Sequence, residues 1–339
     1  YKNRVFSCTL STNVFFLALT KNNFDFKMQK KFITNLVFLL VLNFLIKPFY
    51  ILGIDAEIIN RVGPETYGVY FTLFNFSFLF NIFLDLGINN YNTTNLARNE
   101  HLLSKYFSRL IALKLLLVGL YILFTVIIGM VWGYSDYALK LLLLLTLNQS
   151  IVAVVMYLRS NLSGLQLFVK DSIVSVLDRF LMILICSVLL WGNLTDQPFK
   201  IEWFIYAQTV SYGITLLLAL YWVWKQSAFV KIKFDNLFSL AIIKQSLPYA
   251  LLVLFMSFYY RSDSVMLQKM LEDGSKQAGY YAQAYRFFEA GNMVAYLFAV
   301  LLLPIFSKMI KAKQSLAGIV DISFKIIFSG AIILSVMCF

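Results

Sequence analysis

Ser246-Leu-Pro-Tyr-Ala-Leu-Leu-Val-Leu-Phe-Met-Ser-Phe-Tyr-Tyr-Arg-Ser-Asp-Ser-Val-Met-Leu-Gln-Lys-Met270 is an apolar run that holds Arg261 and Asp263. The next run, Ala278–Phe306, holds Arg286 and Glu289. Crossing a bilayer takes about 20 apolar residues, so each run is long enough. A charge near mid-membrane costs at least about 2.5–3.5 kcal/mol and usually faces a partner or a watery cavity. Ionised residues inside such runs point to a membrane bundle with a polar interior.

Composition agrees. The 339 residues are 60% hydrophobic and only 14% charged, with a mean hydropathy of +0.76. A soluble domain carries about 25% charged residues. The expected class is an all-α polytopic membrane protein. Strands are excluded because the runs are continuous rather than alternating. About nine membrane helices are expected: Phe32–Ile54, Thr66–Ile88, Phe107–Trp132, Leu139–Leu162, Ile173–Trp191, Trp203–Trp224, Ser246–Met270, Ala278–Phe306 and Ile319–Phe339.

The net charge of +12 fits the Lys/Arg excess of cytoplasmic loops. With the N-terminus in the cytoplasm, inner segments hold Lys27, Lys30, Lys31, Arg98, Lys105, Arg109, Lys170, Lys225, Lys231, Lys233, Lys244, Lys308, Lys311 and Lys313. Outer segments hold Arg61, Lys140, Lys200 and Lys276, with Lys269 at a helix end. No nucleic-acid motif is present. Cys8, Cys186 and Cys338 form neither zinc spacing nor a disulfide framework. His101 lies in a loop with no second ligand near, so no metal or cofactor is expected.

Residues 1–27 read as a non-native or disordered leader before Met28, whose Met-Gln-Lys-Lys start leads into the first helix. Ala331–Phe339 stops inside an apolar run, which predicts continuation beyond Phe339. Between these ends the expected layout is an N-terminal six-helix lobe over 28–225, a basic cytoplasmic linker over 226–243, and a partial C-terminal lobe over 244–339.

An internal repeat supports two lobes. Gly63-Pro-Glu-Thr-Tyr-Gly68-Val-Tyr70 has the form G-x4-G-x-Y, and Gly274-Ser-Lys-Gln-Ala-Gly279-Tyr-Tyr281 repeats it. Both fall in short outer hairpins entering an even-numbered helix, six helices apart, so the repeat keeps its orientation. Parallel repeats about an axis along the membrane normal are one architecture of alternating-access transporters.

Polar residues inside the spans mark candidate sites. Asn43, Lys47 and Tyr50 share one face of the first helix. Pro48 removes a backbone hydrogen bond beside Lys47, so a bend or break suited to gating is expected there. No carboxylate lies midway in this helix, so no sodium or proton site is assigned. Ser77, Asn81 and Asp85 line one stripe of the second helix, with Asn90 and Asn92 continuing as loop. Lys114 and Arg159 lie near inner ends, where snorkelling accounts for them as readily as function. Asp178 and Arg179 point about 100° apart, toward separate partners. Ser257, Arg261 and Ser264 share a face, with Asp263 elsewhere, and Arg286 and Glu289 can pair within their helix. Lys47, Lys114, Arg159, Arg179, Arg261 and Arg286 outnumber Asp85, Asp178, Asp263 and Glu289. That surplus of cations suits a phosphate or diphosphate, which arginine grips through paired hydrogen bonds.

Asn60–Tyr70 followed by Leu84-Asp-Leu-Gly-Ile88 resembles the first hairpin of bacterial polysaccharide exporters. Tyr260-Arg-Ser-Asp-Ser-Val-Met-Leu267, then Gly279-Tyr-Tyr-Ala-Gln-Ala-Tyr-Arg286 and Leu303-Pro304, extend the resemblance. These are O-antigen and oligosaccharide flippases of the multidrug/oligosaccharidyl-lipid/polysaccharide exporter superfamily. The resemblance implies a two-lobed transporter in the bacterial inner membrane. It would carry undecaprenyl-diphosphate-linked oligosaccharide, without enzymatic activity, beside a polysaccharide polymerase and a chain-length regulator. Lys47, Arg261 and Arg286 would line its lumen, with Arg179 as a further substrate cation. Pro48, Asp178, Asp263 and Glu289 would be gating or charge-partner residues. A drug or cation exporter of the same fold would want lumenal carboxylates in excess. A membrane polysaccharide polymerase would need an acid–base constellation in a large outer loop, and the outer loops here are short.

Overall fold

In the computed structural model, residues 43, 45–98, 103–192, 197–226, 235–289, 292 and 317–337 are described, and they are helical nearly throughout. No strand occurs among the described residues, so the all-α polytopic membrane class holds. The leader, 1–27, lies outside them.

The first span passes through Pro48 without breaking. It enters a π-helical turn, Tyr50–Asp55, and then α1 (Ala56–Val62). Phe49 and Ala56, which flank the turn, both keep right-handed helical dihedrals. The widened turn begins two residues after the missing donor, where the expected break would lie. Gly63 then joins α1 to α2 (Pro64–Leu79) at φ 82°, a conformation open to glycine, and Pro64 supplies a preset φ for the first helical turn.

The second span departs most from expectation. Thr66–Ile88 was expected as one helix, but α2 ends at Leu79, α3 is the single turn Ile82–Asp85, and α4 runs Ile88–Arg98. Leu86 and Gly87 take positive φ values of 47° and 76° at the second break. Three hydrogen bonds made by the Lys114 and Asp85 side chains fasten it. Lys114 donates to the Leu84 carbonyl at 2.8 Å and to Asp85 Oδ1 at 2.6 Å, while the Asn89 amide donates to the same Asp85 oxygen at 3.2 Å. Asn90 and Asn92, expected in a loop, lie on α4. Asn92 donates from that helix to Ser160 and Asn161 at 2.8 and 3.1 Å, so its polar face has partners on α6.

Helices α5 (Leu103–Val131), α6 (Asp136–Gly164), α7 (Phe168–Trp191) and α8 (Ile201–Trp224) follow. They supply 4 spans long and apolar enough to cross a membrane among the described residues. Their outward faces expose Leu116, Leu123, Leu184, Leu217 and Tyr221, as a lipid-facing surface requires. Helix α9 (Asn236–Met270) starts earlier than the expected Ser246, because Asp235 caps it by accepting from the Phe238 amide at 3.1 Å. Thus 236–243, expected in the linker, are its first turns. Of the eighth expected span the part within α10 (274–289) and residue 292 are described. The last helix is α11 (Ala317–Met337).

Helix α6 is the hub, packing against α2, α4, α5, α7 and α8, while α9 lies along α2. The largest core joins Tyr50, Ile54, Tyr67, Phe71 and Phe204 to Val265 of α9 and Ala282 of α10. The two copies of the glycine motif meet there. A Cβ added to Gly68 would collide with the Ser275 carbonyl, and one added to Gly279 would collide with the Pro64 carbonyl. The contact is reciprocal: the second glycine of each copy faces the residue after the first glycine of the other.

Candidate functional site

The π turn is the centre of a polar seam. It buries Tyr50, Ile54 and Asp55 together. Asp55 is 1% exposed, so its carboxylate needs a partner. Arg286 of α10 supplies it: Nε lies 2.7 Å from Asp55 Oδ2. The same guanidinium donates to Glu289 Oε2 at 2.8 Å and to the Tyr67 hydroxyl at 2.6 Å. Tyr67 in turn donates to Asp55 Oδ1 at 2.8 Å. The Phe71 ring lies 5.5 Å below the guanidinium. Glu289 pairs with Arg286 as the i, i+3 spacing predicts, but the decisive partner is Asp55, one residue beyond the expected end of the first helix.

Arg179 and Lys47 occupy the other flank. Arg179 lies between two rings, 4.8 Å from the Tyr50 centroid and 6.0 Å from that of Tyr212, and donates to the Tyr212 hydroxyl at 3.4 Å. Asp178 accepts from the Arg179 amide at 2.8 Å and approaches its Nε at 3.7 Å, so these neighbours contact each other as well as separate surroundings. Arg159, Ser175, Asp178 and Tyr212 line a cleft between α6, α7 and α8. Asn43 reaches Ser175 at 3.4 Å. The charged neighbours of Lys47 are Arg179, Asp178 and Arg159. Among the described residues no carboxylate lies at ion-pair distance from its half-buried ammonium.

Arg261 sits where α2 meets α9 and α10. It donates to Asn75 Oδ1 at 3.0 Å and packs over Phe78 at 4.8 Å, with Phe74 and Tyr285 each at 6.0 Å. Asn75 donates to Ser264 Oγ at 2.8 Å, so Arg261 and Ser264 do share a working face. Asp263 points away, exposed, and accepts from Tyr281 at 3.1 Å. Counted from the first glycine of each motif copy, Asn75 and Arg286 hold the same position, and each reaches into a helix of the other repeat. Asn75→Leu is expected to cost about 1–3 kcal/mol by leaving polar partners unmade. A lowered unfolding temperature in detergent, absent for Asn75→Asp, would be the check.

Over residues 32–310 the sequence matches the family described as "Polysaccharide biosynthesis protein". The chain belongs to that polysaccharide biosynthesis family. The matched span contains every candidate residue from Lys47 to Glu289. No curated protein and no solved structure matches the chain.

For this member of the polysaccharide biosynthesis family, the structure corrects the charge count. Beside the four named acids, Asp55 and Asp171 also face the six named cations. Both are buried, and they pair with Arg286 and with Arg159 Nε at 2.7 Å. Lys114 is neither snorkelling nor lumenal: it is 0% exposed and pins the helix break. The surplus therefore vanishes as a total and survives only locally. Lys47 and Arg261 are the cations of the seam without a carboxylate at ion-pair distance among the described residues. The structure gathers Lys47, Arg159, Arg179 and Asp178 on one flank and Arg286 with Glu289 on the other. Arg261 stands over the Tyr285 ring beside Arg286, and Asp263 meets Tyr281. The only sequence cue to Asp55 was an acid abutting an apolar run. Nothing local signalled Tyr67 as its hydrogen-bond partner.

Proposed function

We propose that the chain moves an anionic lipid-linked oligosaccharide across the bacterial inner membrane by alternating access, with its N-terminus in the cytoplasm. The observation that carries this reading is the pairing state of the seam. Arg286 and Arg159 are held by acids, whereas Lys47 and Arg261 retain hydrogen-bonding capacity for an incoming anion. Diphosphate is the matching ligand class, with Arg179 and the cleft residue Tyr212 as further donors. Sugar hydroxyls cannot enter hydrocarbon without losing hydrogen bonds to water, so a polar route between helices replaces that solvation. Pro48 with its π turn is the gating element in this reading, and Asp178, Asp263 and Glu289 hold neighbouring polar groups in place. Binding moves the inward–outward equilibrium only through unequal affinity for the two states. The protein is a transporter rather than an enzyme in this account, working beside a polysaccharide polymerase and a chain-length regulator.

The test is complementation with the full-length protein at matched membrane levels. Lys47→Gln and Arg261→Gln are each expected to lower surface polysaccharide roughly ten- to a hundredfold, since a hydrogen bond to a charged group contributes about 1.5–3 kcal/mol. Full display in both variants would refute the anionic-cargo reading. A gain of drug resistance with Lys47→Glu would favour the cation exporter.

A further inference from the structure

Helices α6, α7 and α8 enclose a cleft whose walls differ. One wall is Val152, Val155, Met156 and Arg159 of α6, with Val174 of α7 beside them. Ser175 and Asp178 of α7 and Tyr212 and Thr215 of α8 line the rest. The polar groups of that second wall are engaged already. Ser175 donates to the Ser172 carbonyl at 2.7 Å and Thr215 to the Ser211 carbonyl at 2.8 Å, while Asp178 and Tyr212 both hold Arg179. Arg159 differs from them. Asp171 accepts from its Nε at 2.7 Å, and its other contact among the described residues runs from Nη1 to the Met156 sulfur, a weak acceptor, at 3.5 Å. A guanidinium carries five N–H donors, so the edge formed by the two Nη groups remains for a ligand. The side chain is 24% exposed, so that edge can be reached.

The α6 wall has the polarity order of a lipid. Val152, Val155, Met156 and Arg159 fall on one helical stripe, at i, i+3, i+4 and i+7. Arg159 is five residues from the end of α6 at Gly164, and Asp171 lies in the first turn of α7. With the N-terminus in the cytoplasm these helix ends meet the inner membrane surface, so the cation stands near the depth of lipid headgroups. Val155 and Met156 lie one turn deeper, and Val152 two. Met156 is 47% exposed, which leaves this wall accessible to a chain. A snorkelling arginine needs no carboxylate, whereas Asp171 fixes this one at the cleft. Lys47 and Arg179 add positive potential beside it. Basic pockets between membrane helices on the cytoplasmic side suit phosphate headgroups.

We infer that this cleft seats a phosphate carried on a lipid chain. The Nη edge of Arg159 binds the phosphate oxygens through charge-assisted hydrogen bonds, and the chain lies along Met156, Val155 and Val152. Asp171 is a positioning residue: by taking Nε it leaves the Nη pair for the phosphate. Two lipids share that chemistry, the diphosphate-linked cargo and the anionic phospholipid of the membrane. The inference rests on the cargo reading only where the cargo is the lipid bound, and its geometry is tested without transport. A free phosphate makes no use of the apolar wall, and a lipid without phosphate makes no use of Arg159.

The experiment is native mass spectrometry of the full-length protein in detergent, titrated with undecaprenyl diphosphate, phosphatidylglycerol, diacylglycerol or inorganic pyrophosphate. At least one phosphate-bearing lipid is expected to bind about tenfold or more tightly than diacylglycerol and pyrophosphate, as hydrogen bonds to a charged group predict. Arg159→Lys keeps a cation for Asp171 but gives up the Nη edge. It is expected to lower that affinity about tenfold at an unchanged unfolding temperature. Val152→Phe narrows the cleft without altering any charge and is expected to lower it as well, while Lys140→Gln, exposed at the other end of α6, leaves it in place. Lipid binding that either cleft change leaves unmoved would overturn the seat. So would diacylglycerol or pyrophosphate bound as tightly as the phosphate-bearing lipids, or an equal loss with Lys140→Gln. Binding of phosphatidylglycerol alone upholds the seat as a phospholipid site, and binding of undecaprenyl diphosphate upholds it as a seat for cargo. Export is scored separately: a variant that loses lipid binding yet exports normally upholds the seat and sinks the cargo reading at this cleft.

Discussion

Arg286→Gln is expected to destabilise the protein by about 3–5 kcal/mol, because it leaves the buried Asp55 carboxylate without its countercharge. Glutamine keeps much of the volume but none of the charge, and Tyr67 alone cannot replace it. Asp55→Asn is expected to cost less, since Arg286 retains Glu289 and the Tyr67 hydroxyl. The double variant Asp55→Asn with Arg286→Gln is expected to recover much of the loss, because no unpaired ion then remains buried. Thermal unfolding of detergent-purified protein, with membrane abundance alongside, measures all three. A double variant no better than Arg286→Gln would show that the pair is not coupled. The consequence for export assays is specific. Arg286 variants lose polysaccharide through lost protein, so their phenotype says little about cargo, whereas Lys47 has no carboxylate partner to orphan among the described residues and reports on binding.

Lys114→Met is the second large effect. The ammonium is fully buried and closes on the Leu84 carbonyl and Asp85 at the point where the second span breaks. Methionine fills similar space but leaves that carbonyl without its side-chain donor, a loss of about 1–3 kcal/mol. Asp85 loses its ion pair too, though its partial exposure lets water compensate in part. The change should be local before it is global. Hydrogen exchange is expected to accelerate over α3 and α4, from Ile82 to Arg98, ahead of α6 and α8. Uniform acceleration across all helices would show that the break needs no such fastening. Asp85→Asn is expected to be milder, since its amide oxygen can still accept from Lys114 and Asn89.

These two sites explain where sequence reading succeeded and where it stopped. The spans of α5 to α8 were legible because apolar length is a local property, and the expected limits fall close to the observed ones. The Arg286–Glu289 pair was legible for the same reason: three residues along a helix fix the geometry. Lys114 was misread as possible snorkelling because depth and partner are set by α3, whose existence no local signal announced. The break itself hid inside a continuous apolar run. Leu86 carries a left-handed conformation that leucine rarely adopts, so its residue type argued against the turn it makes. Asp55 was passed over because an acid after an apolar run ordinarily sits in the interface, and only α2 and α10 turn its position into an interior.

By itself the sequence determined the helical membrane class, the repeated glycine motif and the stock of charges, since each depends on composition or on spacing along one helix. Tertiary structure alone decided which charges are neutralised, that Lys47 and Arg261 meet no carboxylate among the described residues, and that the two glycine copies face each other. Those outcomes depend on which helix faces come together, and burial, which makes a countercharge mandatory, exists only after they have.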